Sequence, residues 1–286
     1  MKRSLVMVIL AGWGLSENHE GNPLSSSSLT NFSGWLKNSV AGALTTSGPA
    51  LGLDWQKAIS IEEGFGIIGA GRGLESFSPT NPAQNTLSEI LSKNNLTQIR
   101  ISEEIYEHPI SFCFDGFREI KNSNEFRIYL PTQKNSALNV ASLRDRATLA
   151  IRDSDHSFIL INFGDANTAA KNGNFALTSE AALAIDRSLG ILAEEAKTHN
   201  CEFLVVGSHG NAEVVLNRHT GLPDLTDNAN PVPIIFPLHP NHKPNNFSER
   251  LGLLSDVAPT ILGLLGINKP SEMTGENLAP RLGIIK

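Results

Sequence analysis

Four short runs along the chain are continuously apolar: Leu5–Leu10, Phe158–Phe163, Phe203–Gly207 and Val232–Pro237. Parallel strands covered on both faces have this pattern. Elsewhere the period changes. Over Ser179–Lys197, the residues Ala182, Ile185, Leu189, Leu192, Ala193 and Ala196 fall on one stripe. Glu180, Arg187, Glu194, Glu195 and Lys197 lie mostly off it, which predicts a helix with Thr178 as its N-cap. A second helix fits Asp256–Leu265, with Ser255 before it as cap and Gly266 after it as stop. Alternating strands and helices predict a doubly wound, mostly parallel α/β sheet with helices on both faces. Two polar stretches break the pattern. Asn22–Asn31, "NPLSSSSLTN", reads as a surface loop leading into a helix, and Leu74–Asn85, "LESFSPTNPAQN", as an exposed connection.

Composition narrows the class. Charged residues make up 18% of the 286 and the net charge is -6. A nucleic-acid partner would favour a basic surface, so none is expected. No run approaches the ~18 apolar residues of a membrane helix. Lys2 and Arg3 ahead of "SLVMVILAG" mimic a short secretory signal, but the same run serves equally well as a central strand. A soluble cytoplasmic protein is the expectation. Cys113 and Cys201 lie in the strand-like runs "SFCF" and "CEFLVV". They are read as buried free thiols in a reducing compartment, with no disulfide framework or cysteine–metal spacing.

Seven blocks occur in order: "LAGWG" (Leu10–Gly14), "IGAGR" (Ile68–Arg72), "TLSEILSKNNLTQIRISEE" (Thr86–Glu104), "NGNFALTSEAALAIDRSLG" (Asn172–Gly190), "HGNAE" (His209–Glu213), "NPVP" (Asn230–Pro233) and "SDVAPTILGLLGINKPSEMTGENL" (Ser255–Leu278). Together they resemble the cofactor-independent (2,3-bisphosphoglycerate-independent) phosphoglycerate mutases of the alkaline phosphatase superfamily. The resemblance implies a metal-binding phosphatase domain interrupted by an inserted phosphoglycerate-binding domain. Here the block ending at Arg72 runs almost directly into the block that follows the insertion. Residues 74–85 therefore mark where the inserted domain is missing, and the whole chain, 1–286, reads as a single phosphatase-like domain.

Carried over residue by residue, the resemblance implies two divalent ions, typically manganese, and a serine nucleophile. The strand-end aspartate of that site becomes Ala11. The nucleophile aligns with Ile61, and the histidine closing its motif with Phe65. An aspartate and a histidine become Asn167 and Lys171; the aspartate before "HGNAE" becomes Ser208, while His209 keeps its type. The histidine three residues before "NPVP" becomes Asp227, and the lysine of the block after the insertion becomes Tyr106. Ala11 and Ile61 remove donor atoms, Asn167 and Ser208 remove charge, and Lys171 places an ammonium where a dication would sit. One inserted residue would bring Ser60 to the nucleophile position, and a longer loop would let Asp165 replace the lost aspartate.

No cofactor, no metal and no catalytic residue are therefore expected. The alternative is a residual ion on Asp165, His209 and Asp227, with Ser60 as nucleophile. Otherwise His209 is a hydrogen-bonded histidine at a strand end. Lys171 and Asp227 replace two ligands of one ion, so they are expected either to form an ion pair in the vacated site or to stand as independent surface charges. "IGAGRG" reads as a glycine-permitted loop rather than a phosphate cradle, with Arg72 as a structural anchor. Trp13 is expected in the core and Trp55 at the surface. The functional reading is a non-catalytic, mutase-like domain acting as a structural or regulatory subunit of another protein. A reduced metallophosphatase with a rebuilt site is the alternative, and a sensor binding a phosphorylated metabolite at Lys171 is a third reading.

Overall fold

The computed structural model describes residues 4–153, 155–240 and 247–284. Lys2 and Arg3, the basic start of the signal-like reading, lie outside the described residues. One eight-stranded sheet organises the chain. Its strands are β1 (Leu5–Leu10), β2 (Ser39–Thr45), β3 (Gln98–Glu103), β4 (Glu125–Leu130), β5 (Phe158–Phe163), β6 (Glu202–Gly207), β7 (Val232–Pro240) and β8 (Ser248–Leu253). The spatial order is β4-β3-β5-β1-β6-β7-β2-β8. All neighbours pair parallel except β7, which runs antiparallel to both β6 and β2. The Val232 run thus corrects the parallel expectation. An apolar run reports cover on both faces, not strand direction.

Among the described residues, seven α-helices flank the sheet: α1 (Thr30–Asn38), α2 (Ile61–Ala70), α3 (Leu87–Lys93), α4 (Ser136–Arg152), α5 (Asp165–Lys171), α6 (Phe175–Thr198) and α7 (Val257–Leu264). β1 shows how they divide. Its side chains alternate, with Leu5, Met7 and Ile9 packing in one core with α2, α3 and α7. Val6, Val8 and Leu10 pack in the other, with α4, α5 and α6. Among the described residues, no helix is long and apolar enough to cross a membrane.

Several local expectations shift. Helix α6 begins at Phe175, one turn earlier than its stripe suggested, and its cap is Asn174, whose side chain accepts from the Leu177 amide. Thr178 instead lies buried in the first turn and donates to Asn174 O at 2.7 Å. Before α7, Leu254–Asp256 forms a 3-10 turn, and Asp256 rather than Ser255 stands at the N-cap position of α7; its side chain caps no α7 amide and instead accepts from the Leu253 and Glu276 amides at 2.8 Å each. Gly266 follows at φ +74, as the stop signal implied. Cys113 is not in a strand; Pro109–Cys113 forms a π-helical turn. Both cysteines are buried and free. Trp13 is fully buried, and Trp55 is 73% exposed.

Candidate functional site

Ligand sites in open α/β sheets lie beyond the carboxyl ends of the strands. Here β1, β5 and β6 end side by side, with Leu10 registered against both Phe163 and Gly207. The turn after β1 is tied down on both sides. Ala11 donates its amide to Phe163 O at 3.0 Å, the Ser208 amide donates to Leu10 O at 3.2 Å, and the Ala212 amide donates to Gly12 O at 2.7 Å. Gly12 sits at φ +66, and a methyl there would come within 2.3 Å of Asn167 Oδ1. Backbone hand and crowding together require glycine. Likewise, a side chain on Gly64 would come within 2.5 Å of Ser208 O, so the first turns of α2 press against the end of β6.

The fold therefore brings Ala11, the start of α2, Asn167, Ser208 and His209 to one end of the sheet. Ala11 and Ser208 are buried, and Ile61 is half-buried against the core. Phe65 is wholly buried in α2. Ser60 is the N-cap of α2: its Oγ accepts from the Glu63 amide at 3.2 Å, and Glu63 accepts from the Ser60 amide at 2.8 Å. That capping box commits the Ser60 hydroxyl to the helix. Asn167 donates to Tyr106 Oη at 3.4 Å. Tyr106 hydrogen-bonds Gly164 O and Thr168 Oγ1, each at 2.7 Å, and pins the start of α5 to β3's end. Burial pushes its phenol above the ordinary range.

Lys171, at the end of α5, donates to Asp227 Oδ2 at 2.8 Å. The other carboxylate oxygen lies 3.4 Å from His209 Nε2, and Ser208 Oγ lies 2.8 Å from His209 Nδ1. Of the two alternatives for Lys171 and Asp227, the ion pair forms. Burial opposes ionisation of Asp227, but His209 and Lys171 outweigh it and hold the carboxyl below its usual range.

Asp165 does not join this group. Its Oδ1 accepts from Asn139 at 3.1 Å, and it shares a hydrogen bond with Glu103 of β3. Burial raises both carboxyls, and the neighbouring Asp165 helps push Glu103 up to about 8. Among the described residues, no three His, Cys, Asp or Glu side chains converge as metal ligands.

Sequence reasoning passed over Glu213. It accepts from the Gly14 and Asn211 amides and from Asn230 Nδ2, each at 2.9 Å. One buried carboxylate thereby joins "GWG", "HGNAE" and "NPVP". Arg72 is buried and donates to Gln84 O, and burial lowers its pKa. It anchors the end of the 74–85 connection.

A second charged cluster sits in β3 and β4. Fully buried Arg100 contacts Asp115 at 2.7 Å and Glu125 at 3.3 Å. Arg127 pairs with the same two carboxylates, and Arg100 lies 5.0 Å from the centre of the Phe114 ring.

A family model described as the metalloenzyme superfamily matches residues 3–269. The chain is 32% identical over 210 residues to the 2,3-bisphosphoglycerate-independent phosphoglycerate mutase of Francisella tularensis, covering 71% of this chain and 40% of that one. It is 33% identical to the Bacteroides fragilis enzyme of the same name, over 72% of this chain and 41% of that one. The chain thus spans about two fifths of the length of these curated relatives. Among solved structures, Leishmania mexicana phosphoglycerate mutase aligns with TM-score 0.59 and 20% identity, over 68% of this chain and 39% of that one. TAB5 alkaline phosphatase aligns with TM-score 0.61 and 13% identity, over 93% and 98%. These two likenesses show the fold. The chain belongs to the metalloenzyme superfamily.

Proposed function

We propose that this member of the metalloenzyme superfamily is a catalytically silent, phosphoglycerate-mutase-like domain that acts as a structural or regulatory protein-binding subunit. One observation carries the reading: the Lys171–Asp227 ion pair, backed by His209, at the positions of two ligands of one ion. A pair of divalent ions needs several anionic oxygens or imidazoles to offset its charge. Ala11 and Ile61 supply no donor, and Asn167 and Ser208 supply neutral oxygens. Asp227 supplies a carboxylate already neutralised by an ammonium. The donor set does not suit two dications. Arg72 is tied directly to Gln84. That short link supports the reading that the substrate-binding insertion is absent from residues 74–85. The glycine turn after β1, the Glu213 bridge and the two cores would then serve the fold alone, since function follows the site rather than the scaffold. A cytoplasmic location is part of the proposal, on the two buried free thiols.

Melting scans with and without manganese, paired with hydrolysis of p-nitrophenyl phosphate, test it. A ligand that binds only the native state raises the melting temperature. We expect no manganese-dependent shift and no hydrolysis above background. Manganese-dependent stabilisation with turnover would replace this reading with the rebuilt metallophosphatase.

A further inference from the structure

The sheet ends on one side in β4, whose outer edge pairs with no other strand among the described residues. The Gln98 amide donates to Asn124 O at 2.9 Å, and the parallel register sets Gln98 beside Glu125. That ladder aims the backbone of Phe126, Ile128 and Leu130 at β3 and turns the backbone of Arg127 and Tyr129 outward. Ile128 and Leu130 lean on the core beneath α4, and Tyr129 on the opposite core. Phe126 is 53% exposed. Leu138 and Leu149 of α4, which packs over β3 and β5, are also exposed. Edge strands are commonly blunted by charged side chains, proline or a covering element. The charges of β4, Glu125 and Arg127, turn into the Arg100 cluster and hold the strand stiff, and Pro131 follows only after the strand.

We propose that β4 pairs antiparallel with β4 of a second copy of this chain, about a two-fold axis beside Ile128, so that the sheet runs on through a homodimer. The side-chain and donor patterns select that register. With Ile128 against Ile128 of the partner subunit, Phe126 faces Leu130 of the partner subunit on the α4 side. Arg127 and Tyr129 face each other across the join and exchange both backbone hydrogen bonds, once on each side of the axis. Centring the axis on Arg127 instead would stack two arginines of like charge. Centring it on Tyr129 would set Arg127 against Pro131, which has no amide hydrogen to give. The homodimer is independent of the metal question.

Sedimentation of the full chain over a concentration series, with two cysteine variants, tests the proposal. Opposed residues at a non-hydrogen-bonded antiparallel position have Cα atoms about 4.5 Å apart, within reach of a disulfide. Ile128→Cys is expected to form a disulfide-linked dimer on mild oxidation. Phe126→Cys is not, because its two copies would stand about 13 Å apart along the strands. Native Cys113 and Cys201 are buried and do not compete. Phe126→Lys, at an exposed position, should weaken the dimer at least tenfold while the monomer loses no more than the edge contact of Phe126 with the His156 ring. A wild-type chain that sediments as a monomer throughout, or Phe126→Cys cross-linking as readily as Ile128→Cys, would overturn the proposal.

Discussion

Two charged clusters in this molecule hold their charge in different ways. Around Arg100, two guanidinium groups, one of them fully buried, meet two carboxylates that are wholly buried, and Ser88 and the Ile110 carbonyl take up remaining hydrogen-bonding capacity. Around Asp227, one carboxylate is shared between a buried imidazole and a lysine whose side chain is 40% exposed. The first cluster is neutral and closed, and breaking it strands buried charge. The second borders solvent, where water can replace either partner. A closed ion network holds a fold together, whereas a solvent-edged pair contributes little to stability, which suits the proposed role of filling a vacated site.

The largest expected effect comes from opening the closed cluster. Arg100→Met should cost about 3–5 kcal/mol in a denaturant titration, because Asp115 and Glu125 would be left with Arg127 alone. A loss under about 1 kcal/mol would show that Arg127 and water can satisfy both carboxylates.

The Glu103–Asp165 pair is an intermediate case, since it is buried like the Arg100 cluster but has no cation beside it among the described residues. Its sign with pH follows from the raised carboxyl of Glu103, whose value moves from 4.5 to about 8. The folded state keeps a proton that the unfolded chain releases. The stabilising contribution is therefore full below the unfolded value and is lost as pH rises towards about 8. Asp165→Asn keeps a hydrogen bond without needing a shared proton. It should flatten this slope and stabilise the protein near pH 8 by about 2 kcal/mol. An unchanged slope in melting temperature against pH would show that the pair is not its source.

The smallest effect belongs to the open pair. Lys171→Met should cost about 1 kcal/mol or less, and the loss should shrink as salt is added. Asp227 carries the opposite pH sign to Glu103. Its carboxyl is lowered, so its contribution is present above the unfolded value and is lost as pH falls through the folded one. A Lys171→Met loss as large as that of Arg100→Met would erase the distinction between the two clusters.

Much of this was legible before the structure. Continuous apolar runs marked β1, β5 and β6, because strands covered on both faces leave no polar alternation. The resemblance aligned Lys171 and Asp227 with two ligands of one ion, which must be neighbours, and so offered their contact as one of two expectations; the ion pair is the one that forms. Other features left no such trace. Arg100 reads as a surface residue of a strand; only the fold reveals that Asp115 and Glu125 return to meet it. "SFCF" is too short to separate a strand from a helical turn, and the proline before it was the cue that Pro109–Cys113 coils. Thr178 and Asn174 are both good caps, and the choice between them was made by packing within the first turn rather than by type. Glu103 and Asp165 are far apart in sequence and meet because β3 and β5 are neighbours.

Elemental analysis of the protein purified without chelator from manganese-supplemented cells puts the central claim, that the inherited site no longer holds metal, to the most direct test. We expect a metal-to-protein ratio near zero, in the wild type and also in Ala11→Asp, because restoring one carboxylate leaves the Lys171–Asp227 pair in place. Stoichiometric manganese in the wild-type protein, removed by chelation with a fall in melting temperature, would contradict that claim.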